Sequence, residues 1–131
     1  DKDLTLPEHL ALFDGSNPTI VFTRRADAPI KSQVEYILLD FDRNILPQIM
    51  EVLYQKKIQS LMIEGGSILL QSFIDAGCWD EAYIECSHDH LKEGVKAPVF
   101  STEHTCLTKK MFGKDIKHVI NKGSKHENPT E

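Results

Sequence analysis

Residues 60–67 read SLMIEGGS, and this stretch predicts more about the fold than any other part of the chain. The apolar run Ser60–Ile63 is short and bounded by polar residues, which is typical of a strand buried on both faces. An amphipathic segment follows and predicts a helix from Ile68 to Ala76, with Gly77 at the left-handed position after its end. A strand, a glycine turn and a helix in this order indicate an α/β unit.

The pattern continues on both sides of this unit. Two short apolar runs upstream predict strands, and a helix is predicted to begin after Asn44, which can cap it. The alternation of apolar strands with amphipathic helices predicts an α/β fold. Its sheet is expected to be mostly parallel and flanked by helices, with an antiparallel hairpin at the C-terminal end. The predicted strands outside residues 60–67 are Thr19–Thr23, Tyr36–Asp40, Ala82–Cys86, Cys106–Phe112 and Ile116–Asn121.

Composition excludes several classes of function. The chain has 131 residues, of which 40% are hydrophobic and 27% charged, as expected for one soluble domain. The net charge of −5 argues against binding to nucleic acid or to an anionic membrane. No apolar run approaches the ~20 residues that span a bilayer. The first ten residues are too charged for a signal peptide, so a cytoplasmic location is expected.

The cysteines and histidines do not form a recognisable metal motif. Cys78, Cys86 and Cys106 are three in number and lack C-x-x-C spacing, so we expect reduced thiols buried as small hydrophobes. The run His88–His90 has no third ligand at a recognisable spacing, and it indicates a surface loop rather than a metal site. No metal is therefore expected.

The turn Gly65-Gly66-Ser67 is the first candidate site. Ligands of parallel α/β sheets bind beyond the carboxyl ends of the strands, which is where this turn is predicted to lie. Two glycines let a phosphate come close to backbone N–H groups at the start of a helix, and Ser67 can donate to it or cap the helix. A tight turn that needs glycine only for its backbone angles fits the same residues, and both interpretations stay open.

A second candidate site is formed by Thr23, Arg24 and Arg25 at the end of another predicted strand. Two arginines and a hydroxyl can hold a phosphate, such as the 2′-phosphate of NADP. Taken alone, these residues fit a solvated loop better. Glu64 and Asp40 also stand at strand ends, where each can serve as a general acid or polar contact, or cap a turn.

Residues 60–67, together with residues 73–82, resemble the reductase domain of the bifunctional riboflavin-biosynthesis deaminase-reductase. That family shows a strand, Glu-Gly-Gly, a helix, a glycine and then Asp-Glu before the next strand. Three other stretches resemble further parts of the domain, so the similarity covers nearly the whole chain. These are Pro18–Thr23, Gly94–Pro98 and Phe112–Asp115.

The resemblance implies a dihydrofolate-reductase-like fold and the cofactor NADPH. It also implies reduction of the ribose of 5-amino-6-(5-phosphoribosylamino)uracil to a ribityl chain, so the expected partner is this pyrimidine ribosyl phosphate. In dihydrofolate reductases a cis peptide joins the two glycines. By this resemblance, the cofactor pyrophosphate would be bound by Gly65, Gly66 and Ser67. The adenosine 2′-phosphate would be bound by Thr23, Arg24 and Arg25. Glu64 is implied to be catalytic and to lie close to the nicotinamide and the substrate.

The sequence also departs from the family. Two strands that open the family's reductase domain are absent, as are the His-x-Glu and Pro-Cys-x-x-Cys motifs of the zinc deaminase. We therefore expect residues 1–121 to be the NADP-binding part of a reductase domain, incomplete at its N-terminus, and residues 122–131 to be a polar tail. A missing central strand leaves backbone edges unpaired, so a homodimer is expected.

Two other functions are compatible with parts of the sequence. A non-catalytic nucleotide-binding or assembly module would keep the Gly-Gly turn without performing a reduction. A receiver-like signalling domain fits poorly, because no acidic cluster follows the first strand.

Overall fold

The computed structural model of the protein describes residues 1–89, 92–100, 104–111 and 114–123. The chain forms two compact units, Asp1–Leu61 and Met62–Glu131. Both strands and helices are present, so the α/β class predicted from the sequence is confirmed.

The first unit contains a two-stranded parallel sheet and one helix. Strand β1 spans Thr19–Thr23 and strand β2 spans Val34–Leu38, with Thr19 opposite Val34. The first strand has its predicted bounds, whereas the second begins two residues earlier than predicted and ends before Asp40. A short 3-10 helix at Ala11–Phe13 precedes the sheet.

Helix α1 spans Ile45–Gln55 and begins as predicted. Asn44 is its N-cap, and its side chain accepts a hydrogen bond from the backbone N–H of Leu46. This contact satisfies one of the donors that the first turn of any helix leaves unpaired. The buried apolar residues of this unit are Val21, Leu39 and Leu46.

The second unit contains helix α2 and a three-stranded antiparallel sheet. Helix α2 spans Ser67–Asp75, and Gly77 follows it with φ +67°, the left-handed conformation predicted there. The buried apolar residues of this unit are Phe73, Ile74 and Val119. The strands are β3 at Glu81–Cys86, β4 at His104–Met111 and β5 at Lys114–Asn121.

Strand β5 lies in the middle of this sheet, in the order β3-β5-β4. The predicted antiparallel pairing of the last two strands is confirmed, and the register places His118 of β5 between Tyr83 and Leu107. Phe112 and Gly113, which were predicted in the hairpin, lie outside the described residues. The hairpin therefore does not lie wholly at one edge of the sheet, because β5 also pairs with β3.

Two predictions about the sheet are wrong. Among the described strands only β1 and β2 pair in parallel, so the sheet is not mostly parallel. Ser60–Ile63 does not form a strand, and the side chain of Met62 is 83% exposed. The pattern of apolar residues indicates only which side chains favour burial. A strand also needs a neighbouring backbone, and Ser60–Ile63 has none within the described part of the chain.

The cysteines also differ from the prediction. Cys78 and Cys106 are exposed, Cys86 is half-buried, and all three are free thiols. Cys106 lies on β4, which among the described strands pairs with β5 and no other, and Cys78 lies just after α2, so neither is enclosed. Within the described ranges, no helix has the length and apolar content to cross a bilayer.

Candidate functional site

The turn from Glu64 to Ser67 leads directly into α2. Gly65 has φ +148°, a conformation that favours glycine. Gly66 is the N-cap of α2 with φ −70° and ψ 160°, and it offers no side chain to accept from the first backbone N–H groups of the helix. This end of α2 therefore carries uncapped donors together with the positive end of the helix dipole.

The two glycines have different surroundings. A Cβ atom added to Gly65 would lie 3.3 Å from Cδ2 of Leu69, whereas one added to Gly66 would meet no atom within 4 Å. Gly65 is therefore required by the local fold, and the space beside Gly66 is open. A bulky anionic group such as a pyrophosphate fits this arrangement. The peptide bonds of the described residues are all trans, so the cis peptide implied by the resemblance is not found.

An open groove runs along α2 from this turn. It has a volume of about 450 Å³ and combines residues of the helix with the segment Lys96–Pro98. Ser67, Gln71 and Asp75 are spaced four residues apart, so they share one face of the helix. The lining residues are Ser67, Ile68, Gln71, Ser72, Asp75, Lys96, Ala97 and Pro98.

Thr23 is the most enclosed of the predicted site residues, with no exposed surface. Its hydroxyl donates to the carbonyl of Lys2 at 2.9 Å and accepts from the backbone N–H of Arg25 at 3.1 Å. Both contacts are local to the first unit. Thr23 therefore fixes the start of the loop that carries Arg24 and Arg25.

The two arginines are half-exposed and each contacts a carboxylate. Arg24 Nε lies 2.5 Å from Asp3 Oδ1, and Arg25 donates to both carboxylate oxygens of Asp27 at 2.8 and 2.6 Å. The hydrogen bonds from Arg25 lower the pKa of Asp27 to about 2, so this carboxylate is ionised at neutral pH. A phosphate arriving here must compete with Asp3 and Asp27 for the guanidinium donors.

The two acidic candidates have different environments. Asp40 accepts from the backbone N–H of Asp42 at 3.0 Å and lies 3.3 Å from Arg43, so it caps a turn. Glu64 is exposed and makes no hydrogen bond or ion pair to the described part of the chain. Glu64 therefore keeps its carboxylate available for a ligand, whereas Asp40 does not.

The histidine run contributes no metal site to the described residues. The backbone N–H of Asp89 donates to Ser87 Oγ at 3.1 Å, as in a short turn, and His90 lies outside the described residues. No group of three His, Cys, Asp or Glu side chains comes together there to hold an ion.

The predicted site residues fall in both units. Thr23, Arg24 and Arg25 belong to the first unit, and Glu64–Ser67 belong to the second. Sequence reasoning missed Gln71 and Lys96, which line the groove along α2. No local spacing reveals them, because the contact that brings these two segments together joins residues 28 positions apart.

A comparison with models of known protein families identifies the family of this chain. The family model described as the RibD C-terminal domain matches residues 1–86. The chain belongs to the RibD C-terminal domain family. The resemblance predicted from the Glu-Gly-Gly stretch is thereby confirmed, and the matched range contains both candidate clusters, Thr23–Arg25 and Glu64–Ser67.

Similar proteins support this assignment. The riboflavin biosynthesis protein RibD of Bacillus amyloliquefaciens is 34% identical over 90 residues, which cover 63% of this chain and 24% of that protein. Two structures of RibD from Acinetobacter baumannii, form 1 and form 2, each match with a TM-score of 0.56 at 15% and 16% identity. Each match covers 79% of this chain and 37% of the solved one, and it shows a shared fold. The RibD-like chain thus spans about a quarter of its curated relative.

Proposed function

We propose that this chain is the cofactor-binding part of an NADPH-dependent reductase of riboflavin biosynthesis. The observation that carries the proposal is the open space beside Gly66, at the uncapped N-terminus of α2. Membership of the RibD C-terminal domain family supports it, and so does the name of the relative from Bacillus amyloliquefaciens. The proposed substrate is 5-amino-6-(5-phosphoribosylamino)uracil, whose ribose would become the ribityl chain.

Each candidate cluster has a distinct role in this proposal. Bound NADPH would supply the hydride that reduces the sugar carbon. Backbone N–H groups at Gly65 and Gly66 and the hydroxyl of Ser67 would bind the cofactor pyrophosphate. Arg24 and Arg25 would bind the adenosine 2′-phosphate, and Thr23 would contribute by holding the loop that carries them.

Glu64 is the proposed catalytic residue of this chain. It directly precedes the Gly65-Gly66 turn, and its carboxylate is exposed without a partner in the described residues. Such a group can orient the nicotinamide and the sugar, and it can donate the proton that the ring oxygen of the sugar takes up when the hydride reaches the carbon. It differs in this respect from Asp40, which is engaged in its own turn.

The reductase proposal predicts NADPH binding by this chain alone, without full turnover. The chain covers 24% of one relative and 37% of others, so substrate contacts are expected to come from outside it. In an active polypeptide that includes this chain, Glu64→Gln is expected to lower kcat about 10-fold, with KM for NADPH changed less than about twofold. NADPH oxidation in the presence of the ribosylaminouracil phosphate measures both effects.

Glu51→Gln is the matched control for this experiment. Glu51 lies on α1, and within the described residues its carboxylate accepts a hydrogen bond from Gln55 alone, so its replacement is expected to leave turnover unchanged. A normal rate for the Glu64 variant would remove Glu64 from the reaction. Robust turnover by the isolated chain would show that the substrate contacts lie within it.

A non-catalytic nucleotide-binding or assembly role is the second candidate. The specific observation in its favour is that the open space beside Gly66, at the uncapped N-terminus of α2, would suit a nucleotide whether or not a reduction follows. This role keeps NADPH binding at the Gly65-Gly66 turn but predicts no reduction when the remaining segments are supplied in the same polypeptide. The assay described above therefore separates the two candidates.

We also propose that the protein acts as a homodimer in the cytoplasm, without nucleic acid or membrane partners. Unpaired backbone groups and exposed apolar side chains promote association. Ser60–Ile63 has exposed apolar side chains, and within the described residues its backbone pairs with no strand. Light scattering is expected to report a dimer, and Met62→Lys is expected to shift it toward monomer. Val95→Lys is the control, because Val95 is 86% exposed but lies in a polar segment. A monomer at all concentrations would contradict this proposal.

A further inference from the structure

The side chain of Gln71, on α2, makes three hydrogen bonds. Its Nε2 donates to Asp75 Oδ1 at 2.7 Å and to the carbonyl of Val99 at 3.0 Å, and its Oε1 accepts from the backbone N–H of Val99 at 2.8 Å. The carboxamide thus pairs with both backbone groups of one residue, as a neighbouring strand would. It anchors a segment that belongs to no helix or strand.

The orientation of this carboxamide follows from its partners. The N–H of Val99 requires an acceptor, whereas the carbonyl of Val99 and the carboxylate of Asp75 both require donors. Only one placement of the amide oxygen and nitrogen satisfies all three groups. Asp75, one turn further along α2, therefore holds Gln71 in the orientation that pairs with Val99.

This anchor holds the segment that lines the groove along α2. Val99 follows Lys96–Pro98 directly, and its own side chain is 68% exposed, so packing of that side chain does little to hold the segment. The next residue, Phe100, contacts the ring of Trp79 with centroids 5.0 Å apart. At its C-terminal side, Lys96–Pro98 is thus tied to the unit by the hydrogen bonds between Gln71 and Val99 and by the ring contacts of Phe100 with Trp79 and His104.

We propose that Gln71 is a positioning residue for cofactor binding, because it holds Lys96–Pro98 beside Ser67 in the groove. Ser67 and Lys96 both line this groove, and a hydroxyl and an ammonium group suit an anionic, phosphate-bearing part of the cofactor. The carboxylate of Asp75, which also lines the groove, accepts the hydrogen bond from Gln71. This inference rests on the proposed function, since Ser67 enters as a pyrophosphate contact. Gln71 itself acts through the segment that it holds.

Gln71→Met tests the inference, since methionine has a similar size but cannot form the three hydrogen bonds. We expect the Kd for NADPH to rise about 3- to 10-fold, and exchange of the Val99 amide hydrogen to become faster. Gln55→Met is the matched control, because Gln55 also donates to a carboxylate four residues away on its helix, that of Glu51, but holds no second segment among the described residues. It is expected to change neither quantity. Asp75→Asn is a milder second variant, expected to weaken binding about 2- to 3-fold.

The two readouts separate this inference from the function on which it rests. Faster exchange at Val99 with unchanged NADPH affinity would overturn the positioning role of Gln71 while leaving the cofactor site intact. Unchanged exchange at Val99 in both folded variants would show that Gln71 does not hold the segment, and would overturn the inference as well. Failure of the unaltered chain to bind NADPH would overturn the proposed function, and this inference with it.

Discussion

Replacing Gly66 by valine is expected to weaken NADPH binding at least ~100-fold while leaving the chain folded. The branched side chain would occupy the space beside the turn, where no atom of the described chain lies within 4 Å of an added Cβ. The backbone of Gly66 has φ −70° and ψ 160°, an extended conformation that valine adopts readily. Calorimetric titration with NADPH measures the loss, and denaturant unfolding checks the fold.

Two further glycine variants sharpen this test. Gly66→Ala places a smaller group in the same space and is expected to have an intermediate effect on binding. Gly65→Ala is expected to destabilise the fold itself, because Gly65 has φ +148° and its added Cβ would lie 3.3 Å from Leu69. Normal NADPH binding by a folded Gly66→Val variant would show that the turn is purely structural.

NADPH is expected to bind more tightly than NADH by about 1–3 kcal/mol, a factor of roughly 5 to 150, through Arg24 and Arg25. The preference is limited because each guanidinium already contacts a carboxylate, Asp3 or Asp27, which a 2′-phosphate must displace. The double variant Arg24→Gln/Arg25→Gln is expected to bind both cofactors equally. Titration of each protein with each cofactor gives the four affinities required.

Arg43→Gln is the matched control for the arginine pair. Arg43 is also an exposed arginine beside a carboxylate, with Nε 3.3 Å from Asp40 Oδ2, and its loss is expected to leave the preference unchanged. Equal affinities of the unaltered chain for NADPH and NADH would remove Arg24 and Arg25 from the site.

The ion pair of Arg25 with Asp27 also has a defined pH dependence. The pKa of Asp27 in the folded chain is about 2, below its ordinary value of 3.8. Because the folded-state pKa is depressed, the stabilisation is present above about pH 3.8 and is lost as the pH falls through about 2. Titration of Asp27 therefore does not alter the cofactor preference at neutral pH.

The sequence by itself determined the local features of this protein. Asn44 caps α1, strand β1 spans its predicted residues, and Gly77 adopts the left-handed conformation after α2. The Glu-Gly-Gly turn lies before α2, as its sequence predicts, and its resemblance to the family agrees with the family match. These features depend on side chains a few residues apart, so spacing and conformational preference are sufficient to predict them.

Only the tertiary structure decided which distant segments meet. The same apolar pattern that predicts β1 also marks Ser60–Ile63, yet only β1 has a neighbouring backbone to pair with in the described chain. The contacts of Arg24 with Asp3 and of Gln71 with Val99 join residues 21 and 28 positions apart. Such contacts form only when the intervening chain brings two backbones together. A strand, an ion pair or a groove therefore depends on its partner as much as on its own residues.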